Sequence, residues 1–221
     1  MSLTRTEHIL AAVHEDGINN FLRAVFQARP HYLHYGTPSF VAVTTVSATA
    51  ISAIPFPGVP GGIQYRIDFA IPRIDLFPDS TGGASPLPLA HGQFSLHTAV
   101  QVTVGCAEWD TTPGHGDRDQ RQPKVTPITT KLDVWAYGGL DVRVFGPGVG
   151  DIGFVIDAVD IVDITPDSLE SVLNCLIRMM LLGALTNVRL PFHALSAGAF
   201  RLVLTAGPII EDDQVKVFGT V

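Results

Sequence analysis

Charge is scarce in this chain. Asp, Glu, Lys and Arg together make up 16% of its 221 residues, against about 25% in an ordinary soluble domain. Lysine occurs only at positions 124, 131 and 216, and 14 basic residues against 21 acidic ones leave a net charge of −7. No basic patch or stripe is visible. That excludes nucleic acid as an expected partner and electrostatic docking on an anionic membrane. Cysteine is scarce as well. Cys106 and Cys175 fall in different expected elements, which argues for two thiols rather than a disulfide framework. No segment holds about 18 apolar residues without a charge, so no transmembrane helix is expected. The opening Met1-Ser2-Leu3-Thr4-Arg5 is not a basic start followed by an apolar run. A signal peptide is therefore not expected, and the cytoplasm is the expected location.

The hydrophobic share, 46%, is ordinary. Thr and Ser, with 21 Gly and 16 Pro, fill the place of the missing charges. Such a composition excludes disorder, which needs low hydrophobicity and high net charge. It also excludes a long helical bundle rich in Ala, Glu, Lys and Leu. What remains is a chain rich in β-structure and turns.

The pattern along the chain supports this. Ile9, Ala11 and Val13 alternate, which predicts a short strand over 8–14. From Asp16 the spacing becomes helical. Ile18, Phe21, Leu22, Val25 and Phe26 form one apolar stripe, which predicts a helix over 16–28 with Glu15 and Asp16 favouring its dipole. A single helix over 6–28 is the competing reading. Residues 40–54 are rich in Val, Thr and Ala and read as β-like, with a turn over 55–62. Clean alternation follows at Ile63 to Ile71, Phe94 to Cys106 and Val125 to Tyr137, and Leu140 to Phe145 and Ile152 to Ile164 complete the run. Alternation with one apolar face marks antiparallel strands. Thr165-Pro166 reads as a helix start, and the stripe from Leu169 to Leu185 predicts a helix buried on more than one side. A last pair of strands is expected at Phe200 to Leu204 and from Gln214, joined by a solvated acidic turn at Glu211 to Asp213.

Candidate chemistry is thin. The polar window 108–124 holds Asp110, His115, Asp117 and Asp119, but it matches neither calcium-loop nor zinc spacing and reads as a loop. Gly146 to Gly150 reads as a turn between strands. His31 and His34 lie three residues apart without a third ligand in view. Asp157, Asp160 and Asp163 read as marks of bends or an exposed edge. Nucleophile-elbow, phosphate-loop and His-Glu-x-x-His motifs are missing. Neither an enzyme, a cofactor nor a metal is expected.

The chain from Asp167 onward carries a resemblance. An amphipathic helix runs into Leu190-Pro191, followed by a small-residue corner at Ala194 to Ala199. The strand Phe200-Arg201-Leu202-Val203-Leu204 comes next, then a turn, then a closing strand Gln214-Val215-Lys216-Val217-Phe218-Gly219. This resembles the end of a tubular lipid-binding (TULIP) domain. That superfamily includes the bactericidal permeability-increasing protein, the synaptotagmin-like mitochondrial lipid-binding domains and bacterial members encoded beside botulinum neurotoxins. The unit from His8 to Arg29 is similar to the start of bacterial members. The missing signal peptide and disulfide set the chain apart from secreted members and favour the intracellular bacterial branch.

The resemblance implies an α+β fold in which a long, highly curved antiparallel β-sheet is rolled around one or two long amphipathic helices, as a single domain over 1–221. It implies binding of a lipid, fatty-acid-like or other hydrophobic ligand in an elongated apolar cavity between helices and sheet. Tail burial gains roughly 0.8 kcal/mol per methylene. Phe21, Leu22, Phe26, Leu173, Leu176, Ile177 and Met180 are the expected lining, although the same residues can simply fill a closed core. An apolar tube above roughly 300 Å³ favours carriage. The alternative is a non-catalytic structural or interaction subunit with a filled core, covered by a partner protein or a second copy.

Overall fold

A computed structural model describes residues 8–42, 44–76, 89–90, 92–108, 124–125, 127–161, 167–192, 203–211 and 213–220. The described elements are, in order, β1 (Ile9–His14), α1 (Glu15–Ala28), a short 3-10 turn (Pro30–Tyr32), β2 (His34–Gly36), β3 (Thr49–Ala50), β4 (Ile54–Phe56), β5 (Val59–Phe69), β6 (Arg73–Leu76), β7 (Phe94–Glu108), β8 (Lys124–Val125), β9 (Ile128–Gly146), β10 (Val149–Ile161), α2 (Asp167–Thr186), β11 (Arg189–Pro191), β12 (Val203–Glu211) and β13 (Gln214–Thr220). All pairings with a described register are antiparallel except β2 with β3. The protein is thus mostly antiparallel β-structure with two described helices, of 14 and 20 residues. Strands β7, β9 and β10 run for 15, 19 and 13 residues, well beyond the common 5–6.

Contacts group the chain into two compact units. The first comprises Met1–Val25, Pro72–Thr98 and Val134–Val221; the second comprises Phe26–Ile71 and Ala99–Asp133. Strands β7 and β9 contribute residues to both.

In the first unit, β13 lies between β1 and β12, with Val13 opposite Val215 and Ala11 opposite Val217. A second set of strands runs β11-β10-β9. The two sets pack face to face: Ile152, Phe192 and Val217 are buried together, with Ile9, Ala11, Leu140, Val142 and Leu204 against them. Alternation explains the result, since every second residue of each strand points to one face. Phe192 closes over Gly150, where any Cβ would meet its ring.

Helix α1 begins as the alternation of β1 ends, so the strand-then-helix reading holds and the single-helix alternative does not. Ile18, Leu22 and Phe26 are buried at i, i+4 and i+8. The role of Glu15 differs from that expected of a dipole partner. Its carboxylate accepts the Leu76 N–H at 3.0 Å, and its own N–H donates to the Asp213 carbonyl at 2.8 Å. One turn on, Asn19 donates to the Ile74 carbonyl and accepts the Ile74 N–H, both at 2.8 Å. The spacing matches: four helical residues rise about 6 Å, and two strand residues about 6.6 Å. Helix α1 thereby satisfies an edge of β6 through side chains.

Helix α2 packs on β10. Leu173, Ile177, Leu181, Ala184 and Leu185 are buried, whereas Val172 and Met179 are more than half exposed and Cys175 is exposed. The expectation of burial on more than one side is corrected. The wide apolar arc overstates the buried face, because only one stripe, Leu173, Ile177, Leu181, Ala184 and Leu185, is buried. The Thr165-Pro166 start and Leu169 lie outside the residues whose side chains are described.

In the second unit β5 pairs with β4, β2 and β7, while β3 and β8 flank β2 and β7. The alternation of β5 and β7 places Tyr65, Ile67, Phe69, Val100 and Val102 in the interior. The β-like reading of 40–54 is corrected. Only Thr49–Ala50 and the residue Ile54 of β4 are strand. Local bonds to the Thr37 carbonyl from the N–H groups of Phe40 and Val41, both 2.9 Å, fold the segment into turns. The expected turn over 55–62 shrinks to Pro57–Gly58 between two paired strands.

Candidate functional site

The first unit encloses an apolar cavity of about 100 Å³. Its lining follows from strand register. On β10, Ile152 and Phe154 lie two residues apart on one face. Leu140 of β9 is opposite Phe154, and Leu190 of β11 is opposite Ile152. Val215 and Val217 of β13, with Val13 of β1, form the facing wall, and Gly17, Ile18 and Phe21 of α1 close one side. Phe94, fully buried on β7, meets the Phe154 ring edge to face at 5.5 Å, a geometry aromatic rings favour. Gly17 is the one exposed residue in the lining.

Each strand wall has a charged neighbour that the pleat sends to the opposite face: Asp141 after Leu140, Asp151 before Ile152, Arg189 before Leu190. These three form one cluster. The Arg189 guanidinium donates to Asp151 and, at 3.0 Å, to Asp141. Arg143 also reaches Asp141, at 3.3 Å. The hydrogen bond from Arg189 holds the Asp141 carboxyl below its ordinary value, against a smaller opposing effect of burial. Burial pulls Arg189 down, but its bonds to Asp151 and Asp141 outweigh that and leave it raised. The cluster ties β9, β10 and β11 together behind the cavity. Glu15 lies at the start of α1: burial pushes its carboxyl up, and the Leu76 N–H bond only partly offsets this.

Among the described residues, the cavity is lined by no acid, base, nucleophile or metal ligand. What it can do is remove an apolar group from water.

Among the expected lining residues, Phe21 stands in the cavity wall. Leu22, Phe26, Leu173 and Ile177 are buried core residues, Leu176 and Met180 are half-buried, and none of these six lines this cavity. The remaining walls come from β1, β9, β10, β11 and β13. Alternation assigns those residues an inward face, yet two faces that meet across a sheet pair cannot be matched from a single strand's pattern.

The second unit has a more polar and more open hollow, of about 260 Å³, lined in part by His34, Phe40, Val41, Ser47 and Arg66. Asp68 joins two of these: its carboxylate pairs with His34 Nδ1 at 2.8 Å and with Arg66 Nε at 2.7 Å. The His34–Asp68 pair follows from the β2–β5 register, in which the two residues are opposite each other. It is missed in the sequence because the three-residue strand β2 has too little alternation to be seen. His34 therefore pairs with Asp68, while His31 packs on Tyr32 at 4.4 Å. Among the described residues, no group of three His, Cys, Asp or Glu side chains is placed to hold a metal ion. The Pro147–Gly148 turn lies between β9 and β10 as expected, and Asp157 sits at a register shift in β10. The 109–123 part of the polar window, Asp163, the corner at 194–199 and residues 200–202 lie outside the described residues. Among the described residues no helix is long and apolar enough to cross a membrane.

Compared with protein-family models and with curated proteins, the chain matches none.

Proposed function

We propose that this protein binds a lipid or a similar hydrophobic ligand, and that the apolar cavity of the first unit receives the end of the ligand's chain. The observation that carries this reading is the lining: all ten described residues around the cavity are apolar. The reading agrees with the resemblance to tubular lipid-binding domains, in which a curved sheet rolls around the helices.

Size limits what enters. At about 100 Å³ the cavity is smaller than the tube of roughly 300 Å³ that a whole ligand would need. It is also smaller than the roughly 150 Å³ cavities that take up benzene. It therefore takes a few terminal carbons at rest, and the remainder of a longer chain lies outward past Gly17. Native mass spectrometry of the purified chain, with uptake of a fluorescent fatty acid, tests this. Bound lipid or saturable uptake is expected, and Gly17→Leu, which places a side chain at the exposed lining position, should abolish it. An empty protein with no uptake contradicts the reading.

The small volume also favours a second reading, a non-catalytic interaction subunit with a nearly filled core. A strictly monomeric chain that purifies without a partner would count against it.

A further inference from the structure

We infer that the tip of the β9–β10 hairpin is a docking element for a net-neutral lipid surface. The tip reads Val144-Phe145-Gly146-Pro147-Gly148-Val149-Gly150, seven residues without a charge. Val144, Phe145 and Val149 are 63%, 69% and 54% exposed. Large apolar side chains clustered at a strand turn gain by leaving water, and among the described residues these three stay more than half exposed.

Three observations point to lipid rather than to protein. First, the tip is a two-residue turn, Pro147–Gly148, flanked by three exposed apolar side chains. A stable protein interface buries about 800 Å² on each partner, far more than such a tip offers, whereas a bilayer needs no complementary shape. Second, the charges flanking the tip are already paired. Arg143 bonds Asp141 at 3.3 Å, and Asp151 bonds Arg189, so the tip enters an apolar phase without stripping an unpaired ion. Third, the hairpin ladder runs to the tip, Val149 pairing with Gly146 and Gly150 with Val144 across a register shift that leaves Phe145 as the bulged residue, and Pro147 has no N–H to leave unsatisfied. The net charge of −7 and the absence of any Lys from the tip select a net-neutral surface over an anionic one.

Docking goes beyond ligand binding and does not require the cavity. The two are joined by the strands themselves, since Ile152 of the cavity wall lies three residues, about 10 Å, from Val149.

Co-sedimentation of the full chain with phosphatidylcholine vesicles tests the inference. Binding should persist at about 1 M salt, where the Debye length is about 3 Å. Phe145→Ser should weaken it about tenfold, and the combined Val144→Ser, Phe145→Ser and Val149→Ser variant should abolish it. Met179→Ser, at an exposed residue of α2, should leave it unchanged. Phe145→Trp should bind like the parent chain, with a vesicle-induced blue shift of its emission. Gly17→Leu, which closes the cavity, should still dock, so failure of ligand uptake and failure of docking are read separately. No binding to phosphatidylcholine, binding kept by the triple variant, or binding confined to anionic vesicles and lost in salt would each overturn the inference.

Discussion

Glu15 shows how one side chain ties sequence to site. It starts α1, accepts the N–H of buried Leu76, and has its carboxyl raised chiefly by burial. The raised carboxyl has a definite sign. The folded state keeps the proton at pH values where the unfolded chain has lost it, so stability falls as pH rises from about 4.5 through the folded value. Asp141 has the opposite sign. Its carboxyl is lowered by Arg189, so its stabilisation is present above about 3.8 and is lost as pH falls through the folded value. Denaturant titrations should show Glu15→Gln, which keeps an acceptor for Leu76, flattening the decline above pH 4.5. Glu15→Ala leaves the Leu76 N–H without its acceptor and should cost about 1–3 kcal/mol. Equal losses for both variants would mean that the hydrogen bond to Leu76 contributes little.

At the scale of elements, legibility follows periodicity. The β1–α1 junction is readable because alternation gives way to helical spacing at Asp16. Residues 40–54 are not, because Val, Thr and Ala supply β-propensity without an alternating face, and bonds to Thr37 decide the backbone instead. In α2 the apolar residues are more numerous than the buried ones. Leu181→Ala should therefore cost about 2–5 kcal/mol, and Met179→Ala no more than about 0.5 kcal/mol, both measured by chemical denaturation. Similar costs at the two positions would contradict one-sided burial. The β9–β10 pair makes a different demand. A Cβ on Gly138 would lie 1.7 Å from the Val155 carbonyl oxygen, beside the register shift between Ile156 and Ala158. Bulges of this kind bend a long strand. Gly138→Ala should therefore lower the midpoint of thermal unfolding by several degrees, a loss of more than about 2 kcal/mol, while Gly146→Ala, with open space around it, should cost much less.

For the molecule as a whole, the shortage of charge now has a location. Buried strand positions such as Ser95, Thr98 and Thr103 are polar but uncharged, and the hairpin tip at 144–150 carries no charge at all. The antiparallel architecture was readable from the alternating stretches. The cavity was only partly so, because an apolar stripe on a helix looks the same whether it fills a core or borders a space. Phe21 borders the space and Leu22 fills the core, one residue apart. The central claim is that the first unit takes an apolar chain end into a space of fixed, small size. Its most direct test is calorimetric titration with a series of straight-chain fatty acids of increasing length. The account predicts binding that tightens by roughly 0.8 kcal/mol per added methylene until the cavity is full, then levels off, and is lost in Gly17→Leu. Affinity that is absent, independent of chain length or unchanged by Gly17→Leu would contradict it.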